Sequence, residues 1–287
     1  MTTFRIILLL SGASLLSCSS KSNDPGSAIT PPVTVAVTPV TPKTYTFDSA
    51  VSWSDEFDGA QVDTSKWAYE TGAGGWGNHE LESYTTSAAN SQVTGGNLVI
   101  TAKKEQLPGA TYSSARMHSK GAGNFLYGRI EVRAKIPAGK GTWPAIWMLS
   151  TDNAYGNWPA SGEMDIMEHV GYDPNNIYIT MHTQAYNHTI NTQRGTTVNV
   201  PTATSDYHIY RLDWTPAAVT GFVDGQLYFT FPNEGTGSAA WPFDKRFHLM
   251  LNVAVGGDFG GAQGVDESVF PAQMQVDYVR YYRVNNL

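Results

Sequence analysis

The chain has 287 residues, a formal net charge of −7 and 15% charged residues, with 8 Trp, 15 Tyr and one cysteine. A weak negative balance argues against nucleic acid as a partner, and a lone cysteine excludes an internal disulfide, so the fold must rest on core burial. The surplus of aromatic residues suits stacking on the apolar faces of sugar rings, although a tyrosine-rich sandwich core would use the same side chains.

At the start of the chain, Arg5 precedes an apolar run from Ile6 to Leu16 that is too short to span a bilayer as a folded helix. Such a run predicts a signal peptide over residues 1–18. It ends in Leu15-Leu16-Ser17-Cys18, which is similar to a bacterial lipobox with Cys18 as the lipidated residue; an ordinary secretory signal with an incidental cysteine is the alternative. Residues 19–44 are mostly Ser, Thr, Pro and Val and read as a disordered tether. Residues 45–287 fit one domain. The expected product is an exported lipoprotein of the bacterial cell envelope, at the outer membrane or cell surface. It touches membrane only through its lipid and is monomeric by default.

Strand signals follow one another through the domain. Residues 92–103 (QVTGGNLVITAK) form a hairpin about Gly95-Gly96. In residues 128–137 (GRIEVRAKIP), Ile130, Val132, Ala134 and Ile136 alternate with charged residues, which gives one core face and one wet face. Further strands are expected at 177–183, 207–214, 246–255 and 274–284, and Asp224-Gly225 marks a type I′ hairpin within 219–231. Many short strands, 28 glycines and almost no helical periodicity predict an all-β sandwich of two antiparallel sheets.

Residues 161–171 (SGEMDIMEHVG) crowd Glu163, Asp165 and Glu168 into an apolar segment. On a regular strand Glu163 and Asp165 share a face, whereas Glu168, five residues from Glu163, faces the core. An unpaired carboxylate there is costly, so a β-bulge near Ile166 or Met167 is expected to return Glu168 to the side of the other two. The two glutamates can then lean toward the ~5.5 Å separation that retaining glycoside hydrolysis requires. Asp165 between them shares a proton across the set. The residues alone do not say which glutamate attacks and which donates the proton.

The pattern E-M-D-I-M-E resembles the ExDxxE signature of family 16 glycoside hydrolases. GWGNHELESYT (75–85), GTWPAIWML (141–149) and LNVAVGGDFGG (251–261) are similar to bacterial laminarinases, the endo-β-1,3-glucanases of that family. The resemblance implies a jelly-roll β-sandwich with a concave substrate cleft. It also implies Glu163 as nucleophile, Glu168 as acid/base and Asp165 as the residue that tunes them. Asn78 and Arg116 become ligands on the glycone side, although a turn role for Asn78 and an ion pair for Arg116 are equally natural. Trp143 and Trp147 lie just upstream of the acids, where at least one can floor a subsite and core packing is the alternative.

His182, one hairpin beyond the acidic strand, is expected near the acid/base or the leaving group, whereas His79, His169 and His188 receive no role. Trp241 sits among Pro and Gly and is expected as an exposed stacking platform. Family likeness further implies a structural calcium ion held by Glu56 and Asp277, and no cofactor for catalysis. The expected activity is internal hydrolysis of β-1,3-glucan with retention. Agar or mixed-linkage β-glucan as substrate, or a non-catalytic carbohydrate-binding protein on the same scaffold, are the alternatives.

Overall fold

The computed structural model describes residues 43–287; the expected signal peptide, Cys18 and the expected tether as far as residue 42 lie outside the described residues. Two sheets enclose the core. The larger runs in the order Gln226–Pro232, Ala218–Val223, His208–Trp214, Gly128–Lys135, Ala272–Tyr282, Asn97–Leu107, Ala110–Ser114, Glu82–Tyr84. The second runs Arg194–Asn199, Asn176–His182, Glu163–Glu168, Thr142–Ser150, Phe247–Val255, Arg116–His118, Ala68–Glu70.

The expected hairpins form where the turn chemistry places them. Asp224 and Gly225 both adopt positive φ, at 49° and 78°, between two paired strands, as a type I′ turn requires. Pairing is antiparallel except between Glu82–Tyr84 and Ala110–Ser114, which run parallel. This is the one departure from the expected purely antiparallel sheets, and it arises because a long connection, not a hairpin, joins the two strands.

Alternation builds the interior. Ile130, Val132 and Ala134 are fully buried on one side of their strand, and they join Ile146, Met148, Met164, Ile166, Met167, Ile177 and Ile179 of the opposite sheet in a single cluster. Burying each such large side chain contributes roughly 1.5–3 kcal/mol, which suits a domain with no cross-link.

The strand Phe247–Val255 is buried on both faces. Its odd-numbered residues fill the core, while Asn252 and Ala254 turn to the opposite side and line a cleft. Trp67 and Trp214 are fully buried, so part of the aromatic surplus serves the core. No helix among the described residues is long and apolar enough to cross a membrane.

Candidate active site

The acidic segment forms the strand Glu163–Glu168 in the middle of its sheet. Gly162 leads into it at φ +84°, and a Cβ there would lie 2.6 Å from Cγ of Pro242 and 2.9 Å from Cε1 of Phe243. Only glycine therefore permits this entry into the sheet. Against Thr142–Ser150, Glu163 opposes Leu149 and Asp165 opposes Trp147, whereas Met167 opposes Ile146 and Glu168 opposes Ala145. Ile166 has no opposing residue, so the acidic strand carries one residue more than its partner. The same shift appears on the other side, where Asp165 opposes Thr180 and Glu168 opposes Tyr178.

This is the β-bulge expected from the sequence. Met164, Ile166 and Met167 are at most 1% exposed in the core. Glu163, Asp165 and Glu168 all line the cleft, together with Asn78, Glu80, Arg116, Trp143, Trp147 and Asn252.

Burial disfavours charge on all three acids. It is the leading cause that pushes Glu163 up to about 8, and repulsion from Asp165 comes second. Asp165, 3% exposed, is held well above the usual carboxylate range by burial and by Glu168. Glu168 is also raised by burial, opposed by His182 and by hydrogen bonds from Trp143 and Thr180. The Trp143 indole Nε1 donates to Glu168 Oε1 at 3.0 Å, so this tryptophan touches the acid cluster through its polar edge.

On one flank the Arg116 guanidinium is sandwiched between the rings of Trp76 and Trp147, 4.9 and 4.7 Å from their centroids, and its Nε donates to Glu70. Trp147 Nε1 donates to Asn252 Oδ1 at 2.8 Å, Asn252 Nδ2 to the Tyr84 hydroxyl at 3.0 Å, and that hydroxyl to Glu80 Oε2 at 2.8 Å. Asn78 Nδ2 donates to the other oxygen of Glu80 at 3.1 Å. Loop close approach fixes the cleft edge: a Cβ on Gly260 would meet Gly256 O at 2.6 Å and Trp143 Cβ at 2.7 Å.

Three expectations need correction. His182 opposes Glu163 in register, not Glu168; its Nε2 lies 3.3 Å from Asp165 Oδ2 and 4.0 Å from Glu163 Oε1. Trp241 is 5% exposed, stacked on Phe231 at 5.6 Å and edge-on to Phe243 at 5.2 Å, so it packs the interior and presents no platform. Glu56 is taken by Arg280, which holds its carboxyl below the ordinary value, and Asp277 pairs with Arg133. With a guanidinium on each carboxylate, this arrangement fits two ion pairs and does not fit a calcium site.

The sequence reading missed Glu80, Glu82, Tyr84 and Asn252, and also Trp158, 38% exposed with its ring 6.0 Å from His182. Alternation in E-L-E-S-Y, which places Glu80, Glu82 and Tyr84 on one face, was the available signal. Among the described residues, the group with metal-ligand spacing is Glu163, Asp165 and His182, whose ligand atoms lie within 4.8 Å of one another. It coincides with the acid cluster.

The family profile described as glycosyl hydrolases family 16 matches residues 79–280. A beta-glucanase from Rhodothermus marinus is 52% identical over 240 residues, covering 80% of this chain and 84% of its own length. Among solved structures, the laminarinase from Rhodothermus marinus superposes with a TM-score of 0.82 at 48% identity, over 85% of this chain and 100% of that one. SCLam, a non-specific endo-β-1,3(4)-glucanase crystallised with 1,3-β-D-cellotriosyl-glucose, gives 0.79 at 44% identity, over 85% and 96%.

Replacing Trp143 by Phe keeps the ring and removes the donor to Glu168. Because that bond favours the carboxylate, its loss should raise the Glu168 titration. Carbon-13 NMR of labelled glutamate carboxyls reads this directly, and an unmoved titration would show that the indole does not act on the acid.

Proposed function

The chain belongs to the glycosyl hydrolases of family 16, and we propose that it cleaves β-1,3-glucan internally by double displacement with retention. The observation that carries this reading is the bulge at Ile166, which puts Glu163, Asp165 and Glu168 on one cleft wall between aromatic and amide groups suited to sugar.

Glu163 attacks the anomeric carbon while Glu168 gives its proton to the departing glycosidic oxygen; Glu168 then takes a proton from the water that releases the sugar from Glu163. The surroundings support this division of labour. Glu163 has Asp165 and His182 beside it. When Asp165 holds a proton, its repulsion no longer adds to burial in lifting Glu163, and Glu163 falls toward the ionised form that attacks. Glu168, at the other end of the strand, keeps its proton for the leaving group because burial outweighs the bonds from Trp143 and Thr180 that favour its charge. Acid should silence the enzyme by protonating Glu163 and alkali by deprotonating Glu168, giving a bell-shaped rate profile.

Asn78, Arg116 and Trp147 then line the glycone side, and Trp143 borders the reacting sugar. The likeness to SCLam favours mixed-linkage β-1,3-1,4-glucan as a second substrate. We further propose export as a lipoprotein anchored through Cys18, supported by the apolar run that ends in Leu15-Leu16-Ser17-Cys18.

The domain and its Glu163→Ser variant, incubated with laminarin, agarose, carrageenan and barley β-glucan, should release reducing ends most strongly from laminarin. The variant should lose at least about 10³-fold in kcat. Turnover of agarose in place of laminarin would overturn the substrate, and binding without turnover would overturn the chemistry. Radiolabelled palmitate fed to producing cells should label the full chain and not Cys18→Ser; equal labelling of both would contradict the anchor.

A further inference from the structure

Behind the cleft wall lies a second pair of acids. Glu82 is fully buried on the strand Glu82–Tyr84, and Glu80, 8% exposed, precedes it on the same face and borders the cleft. One oxygen of Glu82 accepts the Val255 backbone N–H at 2.6 Å. Its other oxygen, Oε1, is buried and has no protein donor, and the group in hydrogen-bond contact with the Glu82 carboxyl is the carboxyl of Glu80. Two ionised carboxylates are acceptors only and cannot bond to one another, so a proton must lie between them.

The surroundings decide which acid carries it. Glu80 accepts from Asn78 Nδ2 on one oxygen and from the Tyr84 hydroxyl on the other, whereas Glu82 has no side-chain donor among these bonds, leaves Oε1 without a partner and is the more deeply buried. Charge is stabilised on Glu80 and the proton on Glu82.

Other titratable groups nearby do not alter this. Tyr84 donates to Glu80, and Arg116, across the cleft wall near Tyr84, is committed to Glu70. Tyr112 opposes Glu82 in register on the parallel strand. Asp258, on the loop beyond Val255, pairs with His79 at the surface. The Phe247–Val255 strand contributes only neutral Asn252 and the Val255 amide. Burial and Glu80 together push Glu82 well above the usual carboxylate range.

We propose that Glu82 is a positioning residue that donates a buried proton to Glu80, so that Glu80 stays a fixed anion orienting Asn78, Tyr84 and, through Asn252, Trp147 for the glycone sugars. The proposal rests on the glucanase reading of the cleft. Glu82 acts through binding: once it ionises, two adjacent anions repel, Glu80 shifts, and the donor chain to Asn78 and Trp147 loses its anchor. Glucan affinity therefore weakens on the alkaline side independently of the catalytic acids.

Glu82→Gln tests this, because the amide oxygen still accepts from Val255 and its NH₂ donates to Glu80 at every pH. In wild type the KM for laminarin should rise about tenfold between about pH 6 and about pH 9.5, while in Glu82→Gln the ratio of the two KM values should fall to about one. Glu82→Leu, which has no donor, should show a KM raised about tenfold at both pH values, with kcat falling less than KM rises. The infrared difference spectrum of wild type minus Glu82→Gln at neutral pH should also show the loss of one carboxylic-acid C=O band, apart from the bands of the catalytic acids that both proteins share.

The proposal is overturned if the KM ratio of Glu82→Gln equals that of wild type, if both variants merely lower the thermal midpoint, or if no such band is lost. Should wild type release no reducing ends from laminarin, the glucanase reading falls, and the infrared band alone confirms or overturns the buried proton.

Discussion

One unopposed residue in a central strand governs the chemistry. A regular Glu163–Glu168 strand would turn Glu168 to the core face that Met164 and Ile166 occupy, where an unpaired carboxylate costs several kcal/mol. The extra residue at Ile166 instead lets Met164, Ile166 and Met167 fill the core while all three acids meet the cleft. Everything that flanks the acids relies on that register. Trp147 opposes Asp165, His182 opposes Glu163 and Tyr178 opposes Glu168 because the shift falls after Asp165.

The acids are crowded at a cost to stability. A carboxyl whose folded pKa is raised binds its proton more tightly folded than unfolded, so its contribution is fully present below the unfolded value and is lost as pH rises through the folded one. For Glu163 that window runs from 4.5 to about 8. The rigid interior behind the strand tolerates this loss, and the same burial supplies the two unlike ionisation states that retaining hydrolysis uses. Glu80 and Glu82 repeat the device one layer away, with a proton that is held for positioning instead of delivered to substrate.

Much of this was legible in the sequence because it follows from period-two alternation. The hairpins at Gly95-Gly96 and Asp224-Gly225, the half-buried strand Gly128–Lys135 and the bulge itself are local consequences of side-chain direction and turn chemistry. The errors concern long-range partners. Trp241 reads as exposed from its Pro and Gly neighbours, yet Phe231 and Phe243 close over it. Glu56 and Asp277 have the oxygen chemistry of a calcium site, yet Arg280 and Arg133, distant in sequence or on another strand, reach them first. His182 was placed beside the wrong glutamate because register depends on the length of the connection between two strands, which alternation does not specify.

The central claim is that the bulged strand presents Glu163 as a nucleophile. Its most direct test is to trap the glycosyl-enzyme with an activated 2-deoxy-2-fluoro laminaribioside and map the modified peptide by mass spectrometry. The account predicts one sugar adduct on Glu163 that turns over on addition of an acceptor sugar. An adduct on Glu168, or an inverted product anomer with no adduct at all, would contradict it.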